Sequence, residues 1–129
     1  MQKSDTRQRT VLVIDDDDTV RDSLCVLLQA RDYSVADFAS AQDFLARRDS
    51  LHGDCLLLDI HMPGMTGIEL IKALRERGDS IPAILITGRT DASIQAQAKS
   101  VGASALLDKP VATARLFAAI EEAIASAGR

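Results

Sequence analysis

The sequence has few aromatic and few sulfur-containing residues. Its 129 residues include no Trp, one Tyr, three Phe and two Cys. A folded core must therefore consist mainly of aliphatic side chains and alanine, and there is no row of rings on which nucleic-acid bases could stack. Cys25 and Cys55 lie in apolar segments without the spacing of metal ligands, which predicts two reduced thiols in the core.

The sequence also lacks an excess of positive charge and any long hydrophobic run. The formal net charge is −4 and there is no basic stripe, which argues against direct binding to nucleic acid. No apolar stretch approaches the length of a membrane span, and residues 1–9 lack the apolar middle of a signal peptide. We therefore expect no membrane insertion, a cytoplasmic location, a polar tail over residues 1–9 and one domain over residues 10–127.

Apolar runs alternate with helical patterns five times along the chain. Each run is too short for a helix and is bounded by polar or turn residues. This alternation predicts an α/β fold in which helices cover both faces of a doubly wound parallel sheet, and five strands commonly adopt the order 2-1-3-4-5. The predicted strands are Val11–Ile14, Tyr33–Asp37, Cys55–Leu58, Ile81–Ile86 and Ala105–Leu107.

Polar residues mark the starts of the predicted helices. Asp17 or Asp18 can cap the first helix, and Ser40 can cap the second. Thr66, followed three residues later by Glu69, forms the capping-box pattern that begins the third helix. Each helix start thus follows one of the predicted strands, as alternating strand–helix units require.

The fourth predicted helix, Asp91–Val101, is poor in large apolar side chains. Besides alanines it offers only Ile94 and Val101 for burial. Because little apolar surface can hold it against the sheet, we expect this helix to be among the more mobile elements of the fold. The last helix differs, since Leu116, Ile120 and Ile124 recur at four-residue spacing.

Polar side chains stand at the carboxyl ends of four predicted strands. Asp15 and Asp16 follow the first strand, Asp59 follows the third, and Thr87 and Lys109 follow the fourth and fifth. Ligands of open α/β sheets bind just outside these strand ends. In the expected order the first and third strands are neighbours, so the three carboxylates should crowd together. Two carboxylates about 5 Å apart repel by roughly 3 kcal/mol.

Such a cluster favours a divalent cation and a phosphoryl group. Oxygen-only ligands suit Mg²⁺, which completes its coordination with water and phosphate oxygens. Lys109 supplies a positive charge and Thr87 a hydroxyl, and both suit phosphoryl oxygens. A carboxylate can itself be the nucleophile and form an aspartyl phosphate. The joint pattern predicts Mg²⁺-assisted phosphoryl transfer to an aspartate, whereas each residue alone would also fit an ordinary helix cap or surface position.

The same residues lie in motifs that resemble the response-regulator receiver domain of bacterial two-component signalling. The motifs are Val-Leu-Val-Ile-Asp-Asp-Asp at 11–17, Leu-Leu-Leu-Asp-Ile-His-Met-Pro-Gly-Met-Thr-Gly at 56–67, Ile-Leu-Ile-Thr-Gly at 84–88 and Leu-Leu-Asp-Lys-Pro at 106–110. The resemblance covers roughly residues 10 to 127, and its wording is most similar to the FixJ-like subgroup. It implies a flavodoxin/CheY-like fold.

The resemblance implies a role for each acidic residue at the strand ends. Asp59 would accept a phosphoryl group from a sensor histidine kinase. Asp15 and Asp16 would hold Mg²⁺ together with Asp59 and the backbone carbonyl of His61, and Asp16 is favoured as a direct ligand. The imidazole of His61 is not implicated, because Mg²⁺ prefers oxygen ligands.

The resemblance also implies a response to phosphorylation. Thr87 would move toward the phosphoryl group and Lys109 would pair with it, while the Lys109–Pro110 peptide bond would be cis. The surface of the fourth helix, fifth strand and fifth helix would then serve dimerisation or docking. Such a domain catalyses only its own phosphorylation and dephosphorylation, so the implied role is signalling rather than that of an enzyme acting on other substrates.

Two features depart from the usual family pattern. Leu106 stands where many receivers have an aromatic residue that moves with the threonine, so a coupled motion must use a smaller side chain or be absent. FixJ-like regulators also usually continue into a helix-turn-helix DNA-binding domain, and none follows Arg129. The expectation therefore divides between a stand-alone receiver and a receiver separated from a longer regulator.

Two other functions remain open at this point. The run Asp15–Val20 also fits the Asp-x-Asp-x-Thr/Val signature of haloacid-dehalogenase-type phosphohydrolases, with Asp15 as nucleophile and Asp17 as acid and base. That interpretation leaves Asp59 without a role, and no later strand bears a paired-acid metal motif. The second alternative is a pseudo-receiver, a protein-binding module that has lost phosphorylation, although such modules usually lack one of the acids or the lysine.

Overall fold

The computed structural model describes residues 8–127, which form five parallel strands and five α-helices in alternation. The strands are β1 (Thr10–Ile14), β2 (Ser34–Phe38), β3 (Cys55–Asp59), β4 (Ala83–Thr87) and β5 (Ala105–Asp108). The helices are α1 (Asp18–Gln29), α2 (Ala41–Arg47), α3 (Gly67–Glu76), α4 (Ala92–Ser100) and α5 (Thr113–Ala127), and a short 3₁₀ helix (Arg48–Ser50) follows α2.

The strand order in the sheet is β2-β1-β3-β4-β5, as predicted. β1 pairs with β2 on one side and with β3 on the other, so that Ile14 lies beside Leu58. Successive strands are therefore added on one side of β1 and then on the other, so the switch point of the sheet lies between β1 and β3. The carboxyl ends of these two paired strands lie side by side there. Residues 1–7 of the predicted polar tail lie outside the described residues.

Aliphatic side chains fill the core on both faces of the sheet. β3 and β4 are buried along their whole length, as is usual for strands covered by helices on both sides. Alternate residues of β1 point into the two halves of the core: Leu12 and Ile14 join the cluster beneath α2, α3 and α4, while Val11 joins the cluster beneath α1 and α5.

Capping side chains set the helix starts. Asp17, rather than Asp18, caps α1, since its carboxylate accepts hydrogen bonds from the backbone amides of Thr19 and Val20. Ser40 caps α2. At α3 the predicted capping box is present: the backbone amide of Glu69 donates to the Thr66 hydroxyl, and the backbone amide of Thr66 donates to the Glu69 carboxylate.

The helices differ in how firmly they pack. α4 has one buried side chain, Ala98, and Ile94 is only partly buried, in agreement with the expected shallow contact. α5 buries Leu116, Phe117 and Ile120 against the sheet. Since apolar burial contributes most of the packing energy, α4 is held far less strongly than α5.

Two local details depart from the sequence-based expectations. The apolar pattern of the sequence predicts a first helix from about Thr19 to Arg31, with Val20, Leu24, Leu27 and Leu28 on one face. In the structure α1 ends at Gln29, and the chain then turns through Asp32, whose φ of 67° is left-handed. Cys25 is only half-buried, because it lies at the side of α1 and not on its core face, whereas Cys55 is fully buried as expected. Burial raises the pKa of the Cys55 thiol to about 12.

The single tyrosine lies at the entrance to β2. The ring of Tyr33 stacks on that of Phe117 in α5, with the ring centroids 6.0 Å apart. The guanidinium of Arg31 lies over the Phe117 ring, 4.1 Å from its centroid. These three side chains cover the core beneath α1 and α5 at the amino ends of the strands.

Across residues 8–127, none of the helices has the length and apolar character needed to span a membrane.

Candidate functional site

Three carboxylates meet at the carboxyl ends of β1 and β3. One oxygen from each of Asp15, Asp16 and Asp59 lies within 4.8 Å of the others. Asp15 and Asp59 are 2% and 6% exposed, while Asp16 is exposed to solvent. The predicted crowding of these side chains is thus present, and it results from the pairing of β1 with β3.

Lys109 lies against two of these carboxylates. Its Nζ is 3.4 Å from Oδ2 of Asp15 and 3.4 Å from Oδ1 of Asp59. The backbone amide of Lys109 donates to the carbonyl of Thr87, which fixes the end of β5 beside β4. The Lys109–Pro110 bond is cis, as predicted. One ammonium group therefore contacts two of the three carboxylates, and the three acids outnumber it, so the cluster carries excess negative charge.

Burial and the neighbouring charges together shift the pKa values of Asp59 and Lys109. Burial raises the pKa of Asp59 above its ordinary value, and the negative charge of Asp15 adds to the increase. Lys109 and the backbone amide of His61 act in the opposite direction without cancelling the effect. Burial alone would lower the pKa of Lys109, but Asp59 and Asp15 outweigh it and the pKa is raised. Lys109 is therefore held in its charged form.

The donor set fits Mg²⁺. All three side chains offer hard oxygen ligands, and their oxygens are close enough to bind one ion together. Among residues 8–127 the Asp16 carboxylate has no hydrogen-bond or ion-pair partner, so it is available as a ligand. Asp15 has one oxygen occupied by the backbone amide of Asp17 and the other by Lys109. The assignment of individual ligands remains a prediction, as does the role of the His61 carbonyl.

Thr87 is buried at the end of β4, but its hydroxyl does not point to the carboxylates. Oγ1 accepts a hydrogen bond from the backbone amide of Arg89 at 3.1 Å and donates to the Arg89 carbonyl at 3.0 Å. Thr90 in the same loop is hydrogen-bonded to Asp108 at the end of β5. These hydrogen bonds hold the loop between β4 and α4 in place. A move of the Thr87 hydroxyl toward Asp59 would have to break its hydrogen bonds with Arg89.

An open depression lies near the carboxyl ends of the central strands. It has a volume of about 450 Å³ and is lined by His61, Gly88 and Arg89, which belong to the loops after β3 and β4. Both His61 and Arg89 are exposed. The depression is therefore formed by the segments that directly follow the strands carrying Asp59 and Thr87.

Gly67 fits α3 closely against the end of β3. A Cβ at this position would overlap with the carbonyl oxygen of Asp59 and would come within 3.1 Å of the Cα of Ile60. The amide of Gly67 donates to the carbonyl of Ile60 at 2.9 Å. The start of α3 thus holds the backbone of Asp59 in place, and only glycine allows this approach.

Sequence reasoning did not single out Arg21, which binds the acidic run from the side. Its guanidinium contacts Asp18, Asp37 and the backbone carbonyl of Asp15. The spacing of Asp18 and Arg21 on one helix could have indicated the first contact. The contact with the Asp15 carbonyl depends on the turn between β1 and α1, and the contact with Asp37 depends on the position of β2 beside β1.

The fold and the acidic cluster define a doubly wound α/β domain with a cluster of carboxylates at the carboxyl end of its central strand. Comparison with protein families matches residues 11–121 to the response regulator receiver domain. The chain belongs to this family, and it is a receiver domain of a two-component response regulator of the FixJ-like kind.

Curated relatives support the same assignment. The chain is 40% identical over 119 residues to the transcriptional regulatory protein FixJ of Azorhizobium caulinodans, covering 92% of this chain and 55% of the relative. It is 40% identical over 116 residues to the transcriptional regulatory protein TdiR of Thauera aromatica, covering 90% of this chain and 51% of the relative. The chain thus spans about half the length of these relatives.

Solved structures agree with the fold. The response regulator StyR superimposes with a TM-score of 0.82 at 41% identity, covering 92% of this chain and 60% of that chain. The crystal structure of FixJ-N gives a TM-score of 0.85 at 34% identity, covering 92% of this chain and 95% of the other. These results confirm the predicted receiver family and fold, and the phosphohydrolase interpretation is wrong. In that interpretation Asp17 was the acid and base, but its carboxylate caps α1.

Proposed function

We propose that Asp59 is the phosphoacceptor of this receiver and that Asp15, Asp16 and Asp59 bind Mg²⁺ for the transfer. The observation that carries the proposal is the meeting of three carboxylate oxygens within 4.8 Å at the end of the central strand, with Lys109 3.4 Å from Asp59. Asp59 is the acid at the end of the central strand β3. We place the approach of the donor at the open depression lined by His61, Gly88 and Arg89, in the loops that follow β3 and β4.

In the proposed reaction a carboxylate oxygen of Asp59 attacks the phosphorus of a phosphohistidine on a sensor histidine kinase, or of a small acyl phosphate. The new O–P bond forms as the bond from phosphorus to the donor nitrogen or oxygen breaks, and the donor leaves with that electron pair. Lys109 stays paired with the growing negative charge. Mg²⁺, when bound, supplies further neutralisation of the phosphoryl oxygens. Later attack by water on the aspartyl phosphate releases inorganic phosphate and restores Asp59.

Intact-mass spectrometry tests this proposal directly. The protein is incubated with acetyl phosphate and Mg²⁺ and quenched in acid, and Asp59→Asn is treated in parallel. We expect the wild type to gain one phosphoryl group, and we expect Asp59→Asn and the Mg²⁺-free sample to gain none. Asp43→Asn is a matched control, because Asp43 is an exposed aspartate on α2, and this variant should be phosphorylated like the wild type.

Two other outcomes would change the assignment. A phosphoryl gain that persists in Asp59→Asn would move the nucleophile to another residue, with Asp15 as the first candidate. No gain in the wild type, when Mg²⁺ binding is demonstrated separately, would make the chain a pseudo-receiver that binds partners without phosphorylation.

We propose a sensor histidine kinase as the partner and residues 10–127 as the receiver unit. The support is the family membership and the similarity to FixJ and TdiR, which are named transcriptional regulatory proteins. By the same similarity we propose that the receiver controls a transcriptional output, either on a longer chain or through docking. Because this chain spans about half of those relatives, the output itself is inferred from them alone.

We further propose that phosphorylation shifts an existing equilibrium of the loop after β4 and of α4. The new phosphoryl oxygens would attract the hydroxyl of Thr87 away from Arg89, and the contact of Thr90 with Asp108 would then loosen. α4 is the helix with the least buried surface near this loop, since only Ala98 is buried. Leu106, partly buried in β5, would follow the movement as a smaller substitute for an aromatic side chain.

Amide hydrogen exchange tests the switch. We expect the amides of α4 to change their exchange rates when a phosphoryl analogue is bound with Mg²⁺, while those of α5 stay constant. Identical exchange in α4 with and without the analogue would contradict the switch. If the surface of α4, β5 and α5 serves dimerisation, the phosphorylated protein should also elute as a dimer at high concentration, and a persistent monomer would remove that part of the proposal.

A further inference from the structure

Arg21 connects three separate elements near the acidic cluster. Its Nη1 donates to the backbone carbonyl of Asp15 at 2.7 Å, its Nη2 to Oδ1 of Asp18 at 2.6 Å, and its Nε to Oδ2 of Asp37 at 2.9 Å. The side chain is 13% exposed. All three nitrogens of the guanidinium are thus used, and the acceptors lie after β1, at the start of α1 and in β2.

These contacts hold the connection between β1 and α1 from its outer side. Asp37 belongs to the edge strand β2, where it pairs with Val13 of β1. The amide of Asp15 also donates to the carbonyl of Phe38 at 3.2 Å. The main chain of Asp15 is therefore fixed on both its amide and its carbonyl, the former by β2 and the latter by Arg21.

The side chain of Asp15 depends on this fixed main chain. Its Oδ1 accepts from the backbone amide of Asp17 at 2.9 Å, and Asp17 in turn caps α1. Asp16 lies between these two residues, and no other side chain of residues 8–127 binds its exposed carboxylate, so the backbone of this connection sets its position. If the connection moved, Asp15 and Asp16 would lose their common alignment with Asp59.

We propose that Arg21 is a positioning residue for the cation site: by binding the carbonyl of Asp15 together with Asp18 and Asp37, it holds the β1–α1 connection so that Asp15 and Asp16 present their carboxylates to one divalent cation. Arg21 acts through the backbone and does not itself touch the ion. This inference rests on the proposed Mg²⁺ site of Asp15, Asp16 and Asp59.

Charge and position make opposite predictions for this residue, which makes the inference testable. A fixed positive charge near the site opposes the binding of a second cation, so its removal should tighten Mg²⁺ binding if charge alone matters. If Arg21 positions the ligands, its removal should weaken Mg²⁺ binding in spite of the more favourable charge. Loss of a partner that orients metal ligands typically costs about tenfold or more in metal affinity.

The experiment is a titration of the full chain with Mg²⁺ alone, followed by calorimetry and by the amide NMR signals of residues 15–18. We expect the Kd of Arg21→Gln to rise about tenfold. Arg21→Lys keeps the positive charge but replaces the planar fork by a single ammonium, so we expect a rise of several-fold with no change in net charge. An unchanged or lower Kd in Arg21→Gln would overturn the inference.

Controls separate this role from general stability and from the cation site itself. Asp79→Asn lies at the other end of the sheet and should keep the wild-type Kd even if it lowers Tm. Should Arg21→Gln fail to fold, Arg21→Lys decides, and a wild-type Kd in that variant would overturn the inference. If the wild type binds Mg²⁺ and Asp16→Asn does not, while both Arg21 variants bind normally, only the role of Arg21 is wrong. If the wild type binds no Mg²⁺, the cation site is wrong and the role of Arg21 falls with it.

Discussion

Carboxylates at the two ends of the sheet have their pKa values shifted in opposite directions. At the carboxyl ends of the strands three aspartates lie together, Lys109 contacts two of them, and the pKa of Asp59 is raised. At the amino ends, Asp79 meets two arginines. Arg48 contacts it with Nε at 2.6 Å, and Arg75 donates to its backbone carbonyl at 3.0 Å.

The pKa of Asp79 moves in the other direction. Burial would raise it, but the hydrogen bonds from Arg48 and from the backbone amide of Ile81 outweigh burial and lower it. Burial thus acts in the same sense at both ends, and the charge of the neighbours decides the result. Asp79 in its charged form therefore adds to the free energy of unfolding, whereas the raised pKa of Asp59 means that its charged form lowers the free energy of unfolding.

The largest expected effect on the free energy of unfolding comes from a substitution that displaces the backbone beside the acidic cluster. Gly67→Ala places a Cβ against the carbonyl of Asp59, so either the start of α3 or the end of β3 must shift. We expect a loss of about 3 kcal/mol in the free energy of unfolding, as for other overpacked contacts. Urea denaturation measures it.

Gly88→Ala is the matched control for that change. Gly88 also lies at the site end, but an added Cβ would meet no atom within 4 Å. We expect its free energy of unfolding to stay within about 0.5 kcal/mol of the wild type. Equal losses in both variants would show that the close approach of α3 to Asp59 is not what matters.

A smaller loss is expected from the opposite end. Asp79→Asn removes the charge that Arg48 binds and should cost about 1–2 kcal/mol at pH 7, in the lower part of the range for charged hydrogen bonds because solvent reaches the pair. Since the folded pKa lies below the ordinary 3.8, this contribution is complete above that value and is lost as the pH falls through the depressed pKa. The difference between the two proteins should therefore shrink on acidification below about pH 4.

Asp49→Asn provides the comparison at the same end. Asp49 pairs with Arg77 at 3.1 Å, but the Asp49 side chain is 94% exposed. Exposed pairs contribute little, so no loss beyond about 0.5 kcal/mol is expected. If Asp49→Asn costs as much as Asp79→Asn, burial is not what distinguishes the two pairs.

The smallest expected effect has the opposite sign. Asp59→Asn should raise the free energy of unfolding by about 1 kcal/mol at pH 7 in the absence of Mg²⁺, equivalent to about 4 °C in Tm. Because the folded pKa is raised, the wild type loses stability as the pH rises from the ordinary 3.8 through the raised value. The advantage of the variant is therefore full at neutral pH and disappears below about pH 4.

Thermal unfolding with EDTA at several pH values measures this gain. A variant less stable than the wild type at pH 7 would mean that the contact of Asp59 with Lys109 outweighs its burial. Added Mg²⁺ should stabilise the wild type more than Asp59→Asn, since only the wild type has all three carboxylates.

The alternating strand–helix units of the sequence predicted a parallel sheet covered by helices. The strand order came from what is common for five-stranded folds of this class, and it predicted the meeting of Asp15, Asp16 and Asp59 because these acids directly follow apolar runs. The capping box at Thr66 was also predicted, since it depends on residues three positions apart. Boundaries were less accurate: α1 ends at Gln29 because of the turn at Asp32, which local propensity does not reveal.

The contacts of Arg21 and Gly67 could not be predicted in the same way. Arg21 in α1 contacts Asp37 in β2, and glycine is required at position 67 only because α3 approaches the backbone of Asp59. Both depend on the distance between elements that are far apart in the chain. Likewise, Thr87 was expected among the phosphoryl-binding groups, but only the folded loop shows that its hydroxyl is engaged by Arg89.

The stack of Tyr33 on Phe117 has a consequence for optical work on this protein. Tyr33 is its only strongly fluorescent residue in the absence of Trp, and it lies before β2, one strand length of about 17 Å from the acidic cluster. The intensity of its emission should report on the packing of α5. It should not change when an ion or a phosphoryl group binds at the carboxyl ends of the strands. A fluorescent reporter for the site would have to be introduced, and the exposed His61 beside the opening is a suitable position for a tryptophan.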